Sequence, residues 1–157
     1  MSIRCLDLLG AGTGLLILSP FLLALAAAIK LTSSGPALHR SLRIGRNGRP
    51  FTLYKFRSMT RGAENAGPAI TPAGDPRVTP LGRKLRHTKL DELPQLINVL
   101  RGEMSLVGPR PEAPPYVARY SREQLAVLDV KPGVTSPASW RFRDEETQLS
   151  GQEWEER

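Results

Sequence analysis

The chain has 157 residues, enough for one domain with a modest core, and its hydrophobic share of 40% is ordinary for a folded protein. Its net charge of +7 favours anionic partners such as phospholipid head groups, phosphorylated substrates or nucleic acid. A single cysteine, Cys5, excludes an intramolecular disulfide.

The first predicted element is an apolar helix that contacts a membrane. Residues 8–29 form a run of 22 positions without a charge. As a helix this run would be about 30 Å long, which is the thickness of a hydrocarbon core. The basic residues that follow favour a cytoplasmic location for the rest of the chain. A cleaved signal peptide is the alternative, but Asp7 interrupts the basic N-terminal region and the apolar run is long for such a signal.

Ser19 and Pro20 lie near the middle of this apolar run. Proline lacks a backbone N–H and its ring clashes with the preceding turn, so it kinks or breaks a helix. In a bilayer the freed carbonyl needs another donor, and the Ser19 hydroxyl can supply one. These residues leave two structures open: a kinked helix that spans the membrane, and a segment that enters the bilayer and returns.

Turn and breaker residues divide the chain after the apolar run. Residues 32–36, "TSSGP", end the first helix. Asn47 and Gly48 predict a hairpin turn between two strands. Residues 61–78 are rich in glycine, proline and alanine and predict a long loop.

Short helices are predicted in the second half. Thr79 as N-cap and Pro80 at the first helical position predict a helix that ends near Arg86. The stretch "DELPQLINVLRG" has helical spacing of its apolar residues and Gly102 as a terminator. Residues 116–130 are also predicted to be helical, with a break where Ser121 begins a capping-box sequence. The stretches "VGPRPEAPP" and "KPGVTSP" predict an irregular segment and a turn.

Asp91 and Glu92 form the sharpest chemical pattern in the chain. Pro94 fits the first turn of a helix, where a backbone N–H is unpaired anyway, so Asp91 is predicted at or next to a helix N-terminus. The helix dipole favours ionised carboxylates there, and ordinary capping explains the pair as well. Its surroundings are basic: Arg83, Lys84, Arg86, Lys89, Arg101 and Arg110. In such a setting one carboxylate can attack or take a proton while the other holds a divalent cation.

Three blocks carry a resemblance to a known family. "YKFRSM", "LRHTKLDELPQLINVLRGEMSLVGPRPE" and "VKPGVTSP", preceded by an apolar segment with a central Ser-Pro, resemble the bacterial sugar transferases. These are small monotopic phosphoglycosyl transferases that begin glycoconjugate assembly on a polyprenol phosphate. The resemblance extends over about residues 6–146, nearly the whole chain.

The resemblance implies a reaction and a set of site residues. A sugar-1-phosphate moves from a UDP-sugar donor to undecaprenyl phosphate, and UMP is released. Asp91 matches the nucleophile that forms a covalent phosphosugar intermediate, and Glu92 matches the residue that helps to hold Mg²⁺. The diphosphate and nucleotide are assigned to residues of the family-like blocks: Lys55, Arg57, Arg86, Pro109, Arg110 and Pro111. By contrast, Arg43, Arg46 and Arg49 are interpreted as a solvated basic face that attracts lipid head groups, at about 1 kcal/mol each.

The resemblance also implies an architecture and a location. The fold is expected to be mainly α with a small β-hairpin and interfacial helices. Residues 1–32 would form a re-entrant membrane helix broken at Ser19 and Pro20, with both ends on the cytoplasmic face of the bacterial inner membrane. Residues 33–157 would form a cytoplasmic catalytic domain that is truncated at its C-terminus, since relatives usually continue through a further amphipathic helix. Downstream glycosyltransferases would use the product.

Some properties stay open at this stage. Relatives often carry a segment with glycine and glutamine where this chain reads "SPASWRFRDEE", so the sugar cannot be carried over. The oligomeric state is also open, a dimer included. A non-catalytic, membrane-tethered basic adaptor that binds anionic lipid or nucleic acid is the alternative function. Nucleic acid is not the expected partner, because aromatic residues make up only 6% of the chain and no docking motif is present.

Overall fold

A long helix precedes a small mixed body in the computed structural model, which describes residues 2–63 and 74–136. In chain order the elements are α1 (Ile3–Thr32), β1 (Leu38–Ile44), β2 (Pro50–Phe56), α2 (Pro80–Thr88), α3 (Leu96–Arg101), β3 (Ser105–Val107), α4 (Pro114–Val117), α5 (Arg122–Leu125) and β4 (Gly133–Thr135). Short 3₁₀ turns lie at Arg46–Gly48, Leu90–Gln95 and Ala126–Asp129. The predicted fold class, mainly helical with a small antiparallel hairpin, is confirmed. The described residues after α1 are called the body below.

Helix α1 continues through Pro20 and ends at Thr32, where the breaker residues predicted its end. The Ser19 hydroxyl donates a hydrogen bond to the carbonyl of Leu16 at 2.8 Å. This is the carbonyl that Pro20, lacking an N–H, leaves without its usual donor. The predicted compensation by Ser19 is therefore confirmed. Proline can bend a helix without ending it. The predicted break at Ser19 and Pro20 therefore stays a prediction about the helix in a bilayer.

The N-terminal part of α1 is fastened to the body by two charged side chains. The Arg4 guanidinium donates to two carbonyls at the end of α3, at 2.6 and 2.9 Å. The Asp7 carboxylate is only 4% exposed and accepts from the Ser105 hydroxyl at 2.8 Å and from the backbone N–H of Leu106 at 2.9 Å. Gly10 lies against the Leu106 side chain, whose methyl group would have to move to make room for a Cβ.

The C-terminal end of α1 is fastened by Arg57, which follows β2. Its guanidinium is buried and donates to the carbonyls of Ile29, Ser33 and Ser34 and to the Ser33 hydroxyl, at distances of 2.8–3.3 Å. Carbonyls at a helix end lack partners within the helix, so a cation there satisfies them and complements the dipole. Gly35, with φ of +112°, turns the chain directly beside this guanidinium.

Two apolar clusters join the halves of α1 to the body. The first contains Ala11, Phe51, Leu53, Leu96, Val99 and Met104, and the second contains Ile29, Phe56 and Leu85. Strand β2 contributes to both clusters. The rest of α1 is exposed and apolar: its mean hydropathy reaches 2.2, and only 6% of the most apolar window is buried. Helix α1 is thus long and apolar enough to cross a membrane.

The hairpin of β1 and β2 confirms the turn at Asn47 and Gly48 but has a longer loop than a two-residue turn. Asn47 and Gly48 both have positive φ, and Ile44 pairs with Pro50 across a five-residue connection. A two-residue turn would instead pair Arg43 with Thr52. The observed register is shifted by one residue and pairs Arg43 with Phe51. A shift of one residue moves every side chain of β1 to the other face of the hairpin.

Several predicted helix signals are confirmed in detail. Thr79 caps α2, accepting from the N–H of Gly82 at 2.9 Å, and Pro80 occupies the first helical position. Helix α3 ends at Gly102, which has a left-handed conformation. Ser121 forms both hydrogen bonds of a capping box, so the predicted break lies between α4 and α5.

Two predictions about the irregular stretches were wrong. The stretch "KPGVTSP" contains strand β4, which pairs in parallel with β3, rather than a simple turn. The stretch "VGPRPEAPP" ends in α4, because Pro114 and Pro115 fit a first helical turn, where no backbone N–H is needed. Strand β4 depends on a partner distant in sequence, whereas the hydrogen bonds of α4 are local. The proposed loop 61–78 lies largely outside the described residues, as does everything after residue 136.

Gly108 and Gly133 lie at the closest approach of β4 and the loop after β3. The N–H of Gly133 donates to the carbonyl of Pro109 at 2.9 Å, and the N–H of Gly108 donates to that of Thr135 at 3.0 Å. A Cβ on Gly133 would collide with the backbone of Gly108, which cannot move without losing these hydrogen bonds. Position 133 therefore requires glycine, because no other residue fits against the Gly108 backbone.

We expect Gly133→Ala to lower the free energy of unfolding by about 1–3 kcal/mol, because the new methyl group overpacks this contact. Chemical denaturation in detergent measures the loss. Gly12→Ala is the matched control, since a Cβ there meets nothing within 4 Å. Equal stability of the two variants would contradict the close contact between β4 and the loop.

Candidate active site

A cleft in the body brings together the hairpin, the 3₁₀ turn Leu90–Gln95, the loop after β3 and strand β4. Its walls are formed by Arg43, Leu53, Lys55, Glu92, Gln95, Arg110, Pro111, Gly133 and Val134. Three of these side chains are cationic and one is a carboxylate. The cleft therefore favours anionic ligands.

Glu92 is held by two cations in this cleft. Lys55 Nζ lies 2.9 Å from Glu92 Oε1, and an Arg110 guanidinium nitrogen lies 3.4 Å from the same oxygen. Burial acts to raise the pKa of Glu92, but the two cations outweigh burial and hold it below its usual range. Glu92 is therefore ionised at neutral pH. Burial lowers the pKa of Lys55, and the charge of Glu92 opposes that change.

Asp91, the neighbouring residue, has a different environment. Its side chain is 7% exposed, and its buried Oδ1 has no hydrogen-bond partner among the described residues. Burial raises the pKa of Asp91 to about 6, against the charge of Lys55, while the charge of Glu92 adds to the increase. Adjacent carboxylates with pKa values shifted in opposite directions are typical of sites with divided chemical roles.

Local sequence explains why Asp91 lies there. Helix α2 ends at Lys89, which adopts a left-handed conformation with φ of 57° and turns the chain sharply. The next turn then begins at Leu90 and has both carboxylates in its first positions and Pro94 inside it. The predicted position of Asp91 at the start of a helical segment is confirmed, although the segment is 3₁₀ before it becomes α3.

The other predicted site residues differ in whether they line the cleft. Arg86 is half-buried on α2, and its charge acts to lower the pKa of Asp91. Arg110 is half-exposed and lines both the cleft and an adjoining hollow, to which Pro109 contributes. Arg57 is absent from the residues that line the cleft, because its guanidinium is occupied by the end of α1.

Arg43 is the residue that sequence reasoning missed. It was interpreted as part of a solvated face, but it lines the cleft and its Nε is buried without a hydrogen-bond partner in the described part of the chain. The register of the hairpin is the reason, since the one-residue shift turns Arg43 to the face that carries Phe51, Leu53 and Lys55. The period-2 pattern of β2 was visible in the sequence, but the loop length that sets the register was not. Arg46 and Arg49, in the connection, are exposed as expected.

The carboxylate pair is compatible with a magnesium ion. No group of three or more acidic, histidine or cysteine side chains that could hold a metal is found within residues 2–63 and 74–136. Magnesium does not require one, because it is usually bound by one or two carboxylates, waters and substrate phosphates. Both ionic contacts of Glu92 within the described chain fall on Oε1, which leaves Oε2 for a cation. Asp91, the adjacent residue, is the other carboxylate of this 3₁₀ turn.

The sequence matches the family described as bacterial sugar transferase over residues 1–157. This chain belongs to the bacterial sugar transferase family. The resemblance inferred from the three motif blocks is thus confirmed. In this family member each block contributes to the cleft: Lys55 from the first, Glu92 and Arg110 from the second, and Gly133 from the third.

Relatives with named activities share much of this sequence. A UDP-N-acetylgalactosamine-undecaprenyl-phosphate N-acetylgalactosaminephosphotransferase from Aeromonas hydrophila is 45% identical over 76% of this chain. A UDP-glucose:undecaprenyl-phosphate glucose-1-phosphate transferase from Caulobacter vibrioides is 46% identical over 88% of it, and one of the same name from Escherichia coli is 43% identical over 88%. The matched regions are 28%, 53% and 31% of the lengths of these three relatives, respectively.

We expect Lys55→Met to raise the pKa of Asp91 above its value of about 6, because the charge of Lys55 acts to lower it. The carboxyl resonances of ¹³C-aspartate-labelled protein, assigned with Asp91→Asn, measure this titration. Lys84→Met, which removes an exposed cation from α2, is the control and should leave the titration unchanged. An unchanged titration in Lys55→Met would contradict the electrostatic coupling of Lys55 to Asp91.

Proposed function

We propose that the protein is a phosphoglycosyl transferase that moves a sugar-1-phosphate from a UDP-sugar to undecaprenyl phosphate. The observation that carries the proposal is the carboxylate pair at the cleft: Glu92 lines the cleft and is kept ionised by two cations, and the adjacent Asp91 is buried with an oxygen that has no hydrogen-bond partner among the described residues. A buried carboxylate without a partner costs free energy, which a purely structural cap would not require. A non-catalytic adaptor gives no reason for this arrangement.

The named relatives support the reaction class. Their names specify a UDP-sugar donor and undecaprenyl phosphate as acceptor, with N-acetylgalactosamine in one case and glucose in two. The sugar thus differs among relatives that share similar levels of sequence identity with this chain. The donor is therefore proposed here only as a UDP-sugar, and the product as the first lipid-linked intermediate of a glycoconjugate.

In the first step, Asp91 attacks the phosphorus that carries the sugar. A bond forms between a carboxylate oxygen and this phosphorus, the bond to the bridging oxygen of the diphosphate breaks, and UMP leaves with that oxygen. The attack requires the ionised carboxylate, which predominates above a pKa of about 6. Burial keeps the carboxylate poorly solvated, so less water must be displaced when it approaches phosphorus.

The cations of the cleft would bind the diphosphate of the donor. Lys55 and Arg110 reach the cleft directly, while Arg86 acts on Asp91 from α2. Glu92 would hold Mg²⁺, which when bound neutralises phosphate charge. We assign Arg57 to anchoring α1 rather than to the substrate, since its donors are engaged by the carbonyls there.

In the second step, the phosphate of the lipid acceptor replaces Asp91. An oxygen of undecaprenyl phosphate bonds to the same phosphorus, the bond to the carboxylate breaks, and Asp91 is regenerated. The product is an undecaprenyl diphosphate sugar. Because the lipid phosphate lies at the membrane interface, the cleft must also lie there.

The contacts between the body and both ends of α1 support a location of the whole protein on one face of the membrane. We propose that this is the cytoplasmic face of the inner membrane. A straight helix of this length would extend about 45 Å, yet the body contacts α1 near both ends, at Arg4 and Asp7 and at Ser33. A crossing helix would carry part of the charged body into hydrocarbon, which is costly. We infer that the apolar face of α1 enters the bilayer near Pro20 and that both ends stay on one side.

We expect Asp91→Asn to abolish sugar-phosphate transfer while leaving the melting temperature near that of the wild type. A radioactive UDP-sugar panel with Mg²⁺ and undecaprenyl phosphate measures transfer, and intact-protein mass spectrometry with donor alone detects the phosphosugar adduct. Asp129→Asn, an exposed carboxylate change, is the control. Substantial turnover by Asp91→Asn would remove the covalent mechanism, and absence of transfer by the wild type would favour the adaptor.

We expect a cysteine at Ser2, in a Cys5→Ala background, to be shielded from an impermeant thiol reagent in intact cells. It should react once the inner membrane is permeabilised, because Arg4 and Asp7 hold this end against the body. A cysteine at Arg46, in the exposed hairpin connection, marks the side on which the body lies. Labelling at Ser2 but not at Arg46 in intact cells would show that α1 spans the membrane.

A further inference from the structure

Arg43 differs from the other cations of the cleft in having no acidic partner. Lys55 and Arg110 both contact Glu92, at 2.9 and 3.4 Å. Arg43 forms no ion pair within 4.0 Å in the described part of the chain, and its Nε is buried without a hydrogen bond. The side chains whose charges act on its pKa are Glu112, Arg110, Tyr116 and Glu92.

Arg43 is half-buried, and its buried Nε without a hydrogen bond is costly unless something compensates it. A buried donor left unsatisfied costs about as much as a lost hydrogen bond, and a charged group costs more. Burial also lowers the pKa of Arg43, although Glu112 opposes that change. The Ser41 hydroxyl, two residues earlier on the same face of β1, is likewise buried without a hydrogen-bond partner in the part of the chain that the structure describes. Strand β1 therefore presents unsatisfied polar groups towards the side of the hairpin that carries Lys55.

We propose that Arg43 is a phosphate-binding residue of the catalytic cleft, with Nε and the guanidinium nitrogens donating to phosphate oxygens of a bound substrate. The planar guanidinium presents paired donors that match a phosphate group. Glu92 already offsets part of the charge of Lys55 and Arg110, so Arg43 supplies the charge that the carboxylate does not cancel. The inference deepens the proposed function, and it rests on that function only for the identity of the substrate.

Binding of inorganic pyrophosphate tests the site without reference to any sugar. Isothermal titration calorimetry of the full chain in detergent, with Mg²⁺ present, should give a dissociation constant that rises about tenfold or more in Arg43→Gln. Arg43→Lys, which keeps the charge but loses the paired donors, should give an intermediate loss. Arg46→Gln is the matched control, because Arg46 is an exposed cation of the same hairpin. Binding by Arg43→Gln that equals the wild type, or an equal loss in Arg46→Gln, overturns the proposal.

The melting temperature separates a binding role from a structural one. Replacing a half-buried cation that has an unsatisfied Nε by an apolar side chain removes part of a desolvation cost, so Arg43→Leu should melt at or above the wild-type temperature while losing pyrophosphate. A clear decrease in its melting temperature would mean that Arg43 supports the fold, and the proposal would fail. The proposal would also fail if the wild-type protein bound no pyrophosphate.

Steady-state kinetics identify which phosphate Arg43 contacts. A higher KM for the UDP-sugar in Arg43→Gln, with an unchanged KM for undecaprenyl phosphate, assigns it to the donor, and the reverse result assigns it to the acceptor. Arg43-dependent pyrophosphate binding in a protein that transfers no sugar would remove the proposed function and leave this site in place. Normal transfer with both KM values unchanged in Arg43→Gln would remove the site and leave the function.

Discussion

Lys55 and Glu92 meet at 2.9 Å in a part of the molecule where both side chains are largely shielded from water. Neither charge is stable there alone, because desolvation raises the pKa of a carboxyl and lowers that of an amine. Together they hold strand β2 against the turn that carries the carboxylates. Asp91, one residue earlier, lies beside the negative charge of Glu92, and its Oδ1 has no hydrogen-bond partner among the described residues. Burial is the main cause of the raised pKa of Asp91, and the two charges of the neighbouring ion pair modify it in opposite directions: Lys55 lowers it and Glu92 raises it.

Strand β2 connects the Lys55–Glu92 ion pair to helices α3 and α1. The side-chain amide of Asn98 bonds to its edge, donating to the carbonyl of Thr52 at 2.7 Å and accepting from the N–H of Tyr54 at 3.2 Å. One residue after Tyr54 comes Lys55, and two residues later Arg57 holds the end of α1. Four consecutive residues thus connect helix α3, the cleft and the apolar helix. A displacement of α1 in a membrane would therefore act on the strand that positions Lys55.

Three buried polar groups on the hairpin and the 3₁₀ turn that form the cleft are left unsatisfied by the described fold. Asp91 Oδ1, Arg43 Nε and Ser41 Oγ are buried without hydrogen bonds among the described residues. Each such group costs about 1–3 kcal/mol, which is a large fraction of the stability of a small domain. Close packing is found elsewhere in the body, since the backbone segments at Gly108 and Gly133 leave no space for a Cβ. Unsatisfied groups in an otherwise tightly packed molecule are typical of a surface shaped for a ligand.

Local chemistry in the sequence was sufficient for most of the elements and for the position of the carboxylate pair in the chain. The apolar run and its breakers, the caps at Thr79 and Ser121, the terminator Gly102 and the bond from Ser19 to the Leu16 carbonyl involve neighbours within a few residues, so patterns along the chain predict them. The family motifs likewise identified Asp91 and Glu92. What the sequence could not indicate was contact between distant segments: the register that turns Arg43 inward, the occupation of Arg57 by the end of α1, and the pairing of β4 with β3. These depend on loop length and on packing between residues far apart in the chain, for which a single sequence carries no local signal.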